Sequence, residues 1–197
     1  MELLPDSLVA HWKLDETEGG IAHDSIAGSD AFGPPDLIWR PEDGKVGGAL
    51  ELDGIDDLLY TSFSLNPADT PFSVFVWIKG GAPGQVIISQ TGGTNWLWAN
   101  PADGTLMTEL RGSGRFGGPL YSQPMITDGD WNRIGLTWDR SYRILYVDDV
   151  EVARDTQASL AGSNGGLYFG AGKNPVPPSL WLGLLDDIRI YDRAIVP

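Results

Sequence analysis

The sequence predicts an all-β protein, a two-sheet antiparallel sandwich, on three observations. Apolar residues recur with period 2 in short runs. Glycine (26 residues) and proline (14) punctuate those runs. No stretch combines a helical period with helix caps. Alternation presses one face of each run against a core. Short strands separated by turn residues pack as two layers of sheet. The length of 197 residues suits one domain over residues 1–197. A hydrophobic content of 42% with 8 Trp supplies the core.

Along the chain, residues 8–15 (LVAHWKLD) open as a strand. Residues 73–79 (SVFVWIK) are apolar on both faces, with Val74, Val76 and Ile78 on one and Phe75 and Trp77 on the other. Such a strand is covered on both sides or lines a concave surface. Val86, Ile87 and Ile88 form a short run after the glycine-rich loop at residues 80–84. Further loops are read at residues 112–118 and 174–178. Residues 133–139 alternate, with Ile134, Leu136 and Trp138 on one side. Residues 141–148 set Tyr142, Ile144 and Tyr146 against Leu145 and Val147. The connection Asp139-Arg140-Ser141 makes these two strands an antiparallel hairpin, and Asp148-Asp149 predicts a second, tight one. Residues 183–194 close the chain as a strand, with Ile188 and Ile190 alternating with Arg189 and Tyr191. The first and last strands, near Trp12 and Ile190, are expected side by side. Trp77, Trp131 and Trp138 are expected in the core.

The formal net charge is −14, unevenly placed: residues 1–70 hold 15 acids and 3 Lys or Arg. Phosphates would be repelled, so nucleic acid and anionic membrane surfaces are not expected partners. Hard cations are permitted, and acidic loops also serve solubility. Cysteine is absent, which leaves the redox compartment open. No run is long enough to span a bilayer, so no membrane insertion is expected. The chain opens Met-Glu-Leu-Leu-Pro-Asp without a basic or apolar leader segment. The expectation is a domain of a larger secreted protein or a protein that leaves the cell without a leader, as a phage structural protein does. The expected location is extracellular, on a cell surface or on a virion.

Six motifs in order carry a family resemblance. They are Trp-Lys-Leu-Asp in residues 8–15, Asp24-Ser25 with Gly28, Asp-Gly-Ile-Asp-Asp in residues 48–60, residues 72–79, Asp-Gly-Asp-Trp in residues 128–138, and LYVDDV at 145–150. With the tail Gly-Leu-Leu-Asp-Asp-Ile-Arg-Ile-Tyr-Asp-Arg-Ala they resemble the laminin-G-like, concanavalin-A-like jelly-roll domains. Asp149 stands where that family usually has Gly. The resemblance spans about residues 8–194 and implies a jelly roll that binds and rarely catalyses.

Glycosidases of this fold resemble one another in two acids on one strand, about 5–5.5 Å apart where configuration is retained. No Glu-x-Asp-x-x-Glu occurs, and Glu109 is the only Glu between Glu51 and Glu151. The pairs Asp56-Asp57, Asp148-Asp149 and Asp186-Asp187 point to opposite faces if extended. His11 and His23 have no partners at zinc spacing, and no nucleophile elbow or phosphate loop is present. An enzyme is not expected.

The resemblance implies one structural Ca²⁺, held by Asp186 with carbonyls near residues 10–12 and 53–54. Asp24 and Asp53 are further carboxylates in turns that suit its oxygen preference, although such acids also cap their own backbone. Trp96 and Trp98 point the same way if extended, about 6.5–7 Å apart. That spacing suits stacking on a sugar, with Asn95, Asn100 and Gln90 as hydrogen-bonding groups; the same indoles would also fill a core. Trp39, in a proline-flanked segment, is a lid or a packing plug. The expected function is a non-catalytic binding or adhesion module for a glycan or a protein surface. The alternative is a virion component whose partners are copies of itself or other subunits.

Overall fold

The computed structural model describes residues 7–112 and 117–197, and part of the glycine-rich loop at residues 112–118 lies outside them. Sixteen strands and no helix make up the described chain. They are β1 (Leu8–Trp12), β2 (Ile21–Ala22), β3 (Ala31–Phe32), β4 (Ile38–Arg40), β5 (Ala49–Asp53) and β6 (Leu59–Thr61). Then come β7 (Phe72–Gly80), β8 (Val86–Gln90), β9 (Asn95–Ala99), β10 (Thr105–Thr108) and β11 (Leu120–Met125). The last are β12 (Trp131–Trp138), β13 (Tyr142–Val147), β14 (Val150–Thr156), β15 (Leu167–Phe169) and β16 (Leu182–Tyr191).

Two eight-stranded antiparallel sheets form. The first runs β14-β13-β12-β7-β16-β5-β4, with β1 also on β16; the second runs β11-β10-β9-β8-β15-β6-β3-β2. The closing strand β16 organises the first sheet. One edge pairs with β7; the other pairs with β5 through Leu182 to Leu185 and then with β1 through Ile188 to Tyr191. Trp12 faces Ile188 across that ladder, so the first and last strands adjoin as expected.

The core between the sheets holds Val74, Val76 and Ile78 from β7, Ile134, Leu136 and Trp138 from β12, and Ile188 and Ile190 from β16. The period-2 reading of these strands is correct, and so are both hairpins. Asp148 and Asp149 have φ of 50° and 65°, the left-handed geometry that both central residues of a type I′ turn adopt. The Asp148 carboxylate accepts the Arg133 amide at 2.9 Å, which ties the turn back to β12.

Two expected core residues are corrected. Trp77 lies on the outer face of the first sheet, half-buried, with the Lys45 ammonium 5.1 Å from its ring centroid. Trp131 is half-buried at the start of β12. Trp138 is buried and donates its indole N–H to Gln157 O at 2.7 Å.

Candidate functional site

The three carboxylates expected around Ca²⁺ stand in three different settings. Asp24 is saturated by backbone: its oxygens accept the amides of His11, Ile26, Ala27 and Ser29 at 2.9–3.1 Å. It ties the loop after β2 to β1. Asp53 accepts the amides of Ile55, Asp56 and Asp57 on one oxygen and caps its own turn. The Ile55 bond is the largest influence holding its carboxyl below the ordinary range. Asp186 is fully buried, and one oxygen accepts the amides of Lys45 and Val46, each at 2.7 Å. Two N–H donors aimed at that oxygen make an anion's setting. Its other oxygen has no hydrogen-bond partner among the described residues. Burial pushes the carboxyl up to about 7, against the Val46 and Lys45 bonds and with the negative charges of Asp187 and Asp15. Among the described residues, the acids close enough to share an ion are Asp53, Asp56 and Asp57, and neither Asp24 nor Asp186 joins them. The three carboxylates therefore do not gather around one ion.

Asp186 and Asp187 also depart from the extended geometry assumed for them. Asp187 has φ 53°, and the register against β7 slips between Asp186 and Arg189. The bulge falls where β5 gives way to β1, and Asp187 meets His11 Nε2 at 2.7 Å and Arg189 Nε at 3.0 Å. Burial raises the Asp187 carboxyl, but the His11 bond and the Arg189 charge outweigh it and hold it below the ordinary range. These groups line a cavity of about 390 Å³ with Lys13, Asp15, Ser25 and Val46. Asp187 engages both His11 and Arg189 in it. Ser25 Oγ donates to the His11 carbonyl rather than its ring, and Asp15 accepts the Gly48 amide. A nucleophile bonded to its base is the geometry that acyl transfer needs, and Ser25 does not present it.

The tryptophan platform is not built as the extended reading has it. Ile88 faces Leu97 and Ser89 faces Asn95, so Trp96 is the extra residue of a bulge in β9. One extra residue reverses the facing of every later position on its strand. Trp96 turns into the core, fully buried, its ring 5.3 Å from that of Phe72. Trp98 is half-buried, on a strand position between Val86 and Met107. Asn100 builds the β9–β10 turn, accepting the Ala102 amide and donating to Thr105 Oγ1. Gln90 is buried and donates to the carbonyls of Leu65, Ser163 and Gly165. Trp39 is a packing plug: it lies in β4, buried, and donates to Gly19 O at 2.7 Å. Asn95 is buried, with its Oδ1 accepting the Lys173 amide at 3.1 Å.

The outer face of the second sheet carries a feature the sequence reading missed. The registers align Ile21 with Phe32, Phe32 with Tyr60, Tyr60 with Tyr168, Tyr168 with Ser89, and Ser89 with Asn95. The row crosses six neighbouring strands, and its first half is exposed apolar surface. Phe32 is 55% exposed, Ile21 40% and Tyr60 38%. The rings of Tyr60 and Tyr168 lie 5.2 Å apart, tilted by 50°. Gly166 leaves room for this: a Cβ there would meet the Tyr60 hydroxyl oxygen at 2.8 Å and Thr61 O at 2.1 Å. Beyond Asn95, Glu109 accepts the Asn95 amide, and a small cavity of about 110 Å³ lies among Thr94, Glu109, Arg111, Pro119 and Lys173.

A family model described as the concanavalin A-like lectin/glucanases superfamily matches residues 53–197. No curated protein matches the sequence. Among solved structures, the binding domain of Paraclostridial Mosquitocidal Protein 1 superposes with a TM-score of 0.76 at 15% identity, over 96% of this chain and 50% of that one. Domain 4 of the extracellular arabinanase AbnA from Geobacillus stearothermophilus, in complex with arabinotriose, gives 0.58 at 20% identity, over 96% and 94%. The ligand binding domain of botulinum neurotoxin serotype D, in complex with N-acetylneuraminic acid, gives 0.64 at 16%, over 96% and 48%. The chain thus spans about half the length of the two toxin domains, and at these identities the likeness is one of fold.

Proposed function

We propose, for a chain that belongs to the concanavalin A-like lectin/glucanases superfamily, that it is a non-catalytic glycan-binding module whose ligand lies across the outer face of the second sheet. The observation that carries this reading is the cross-strand row Phe32, Tyr60 and Tyr168. Neighbouring strands stand about 4.8 Å apart, so the row offers one ring per strand, a step of the same order as a sugar unit. The C–H faces of a sugar pack on the negative face of an aromatic ring, and the tyrosine hydroxyls bond at the rim. Among the solved neighbours, the arabinanase domain is held with arabinotriose and the neurotoxin serotype D ligand binding domain with N-acetylneuraminic acid, which supports the class of ligand without naming this chain's own. In the cavity around His11, Asp187 binds both His11 and Arg189 and Ser25 Oγ donates to a backbone carbonyl, so no hydroxyl there is joined to a base. No feature of this face favours a virion role.

Screening on a glycan array, followed by calorimetry on the hits, tests the reading. Tyr60→Ala and Tyr168→Ala are each expected to weaken binding by about tenfold. Both residues face outward, so the melting temperature should stay within a few degrees of the parent. Unchanged affinity in both variants would remove the aromatic row as the site.

A further inference from the structure

We infer that the glycan this face takes is acidic, with a carboxylate-bearing sugar seated in the cavity bounded by Arg111 and Lys173. The inference rests on the glycan reading of the row above and names its substrate class. In register the row continues through Ser89 to Asn95, both buried: Ser89 Oγ donates to Ala171 O and Asn95 Oδ1 accepts the Lys173 amide. A ligand reaching from the rings to the cavity therefore passes over the segment at residues 171–173, and Asn95 joins Glu109 by two bonds. The cavity therefore lies on the same line as the rings, three strand spacings or roughly 14 Å beyond Tyr168. Two cationic side chains, Arg111 and Lys173, and one carboxylate, Glu109, border it. In a chain whose net charge is −14, that local excess of positive charge runs against the average.

The cations are placed but not spent. The Lys173 ammonium is 3.8 Å from the Glu109 carboxylate, a loose pair with both side chains partly open to solvent. The Lys173 amide donates to Asn95 Oδ1 at 3.1 Å, which fixes this lysine's backbone against the end of the row. Among the described residues Arg111 makes one long bond, 3.4 Å from Nη1 to Gly117 O, and a guanidinium has further donors to offer in a fork. Thr94, on the same cavity, has a buried hydroxyl oxygen without a partner among the described residues. A volume of about 110 Å³ accommodates the carboxylate of that sugar and the carbon that bears it, with the sugar ring at the cavity mouth. Charge-assisted bonds of this kind are short, directional and about twice as strong as neutral ones. The distance between rings and cavity adds a length requirement: one acidic monosaccharide cannot reach both.

Matched pairs of oligosaccharides test this by calorimetry: hexuronic-acid tetrasaccharides against their carboxyl-reduced forms, and sialylated glycans against the same glycans without the acid. The expected result is that acidic members bind on the order of tenfold more tightly than their neutral partners. Arg111→Met and Lys173→Met should each reduce that preference while leaving neutral binding and its dependence on Tyr60 intact. Equal affinity for acidic and neutral members, with Tyr60→Ala still weakening both, would overturn the inference and leave the glycan reading standing. If neither class binds, the glycan reading fails and the inference with it. Met substitutions keep the apolar stems of both side chains, and a melting curve on each variant separates lost binding from lost folding.

Discussion

Asp186 is the residue whose surroundings the sequence showed least. The motif around it was legible, and it does stand at the seam of the closing strand. Its surroundings were not legible, because the amides of Lys45 and Val46 come from a loop some 140 positions away. A buried carboxyl with one free oxygen keeps its proton to about pH 7, whereas the unfolded chain releases it near pH 4. The folded state therefore binds the extra proton between those values. The stability that this protonation confers is complete below about pH 4 and is lost as pH rises through about 7. Asp186→Asn removes the titration and keeps an acceptor for the two amides. The variant's melting temperature, relative to the parent, should rise between pH 5 and pH 8. A constant offset across that range would mean that Asp186 is ionised throughout. Asp187, held low by His11 and Arg189, runs the other way and weakens the fold only in acid.

Strand β9 shows why alternation alone misplaces a side chain. Trp96 and Trp98 share a face only if the strand is regular, and a single extra residue sends them to opposite faces. No local composition marks the bulge; it arises from how β8 and β9 fit together. Trp96→Ala should cost about 3–5 kcal/mol, as buried large aromatics do. Trp98→Ala, at a half-buried position, should cost clearly less in the same urea titration. Equal losses would place both indoles in the interior. The same reasoning explains why the aromatic row was missed. Phe32, Tyr60 and Tyr168 lie in strands of two or three residues, too short for periodicity to show which side they face. Their alignment is a property of register between strands far apart in sequence. By contrast β7, β12 and β13 are long enough to carry their own pattern, which grouped the residues of each face correctly, although Trp77 and Trp131 were placed inside and stand half-buried.

The molecule as a whole depends on its first fifty residues more than the extent of the family match suggests. The match begins at residue 53, yet β1 to β4 and nearly all of β5 come before it and enter both sheets. The strands β1 and β5 occupy successive lengths of one edge of β16, so their loss opens that edge from Leu182 to Tyr191. Trp12, Leu14, Trp39, Leu50 and Leu52 all belong to the core between the sheets. Trp12 packs edge-on against Phe169 at 4.8 Å and Phe63 at 5.7 Å, which links the opening strand to the second sheet. Burial of each such side chain contributes roughly 1.5–3 kcal/mol, and net stability of a domain is only about 5–15 kcal/mol. A fragment of residues 53–197 should therefore fail to fold, with no cooperative thermal transition by circular dichroism. It should also bind no glycan, since Phe32 and the strand that carries it are absent. Adding residues 1–52 as a separate peptide should restore the transition, because the open edge of β16 and the exposed core face are what that peptide fits. A fragment that melts cooperatively within a few degrees of the full chain would show that β6 to β16 already hold a complete core.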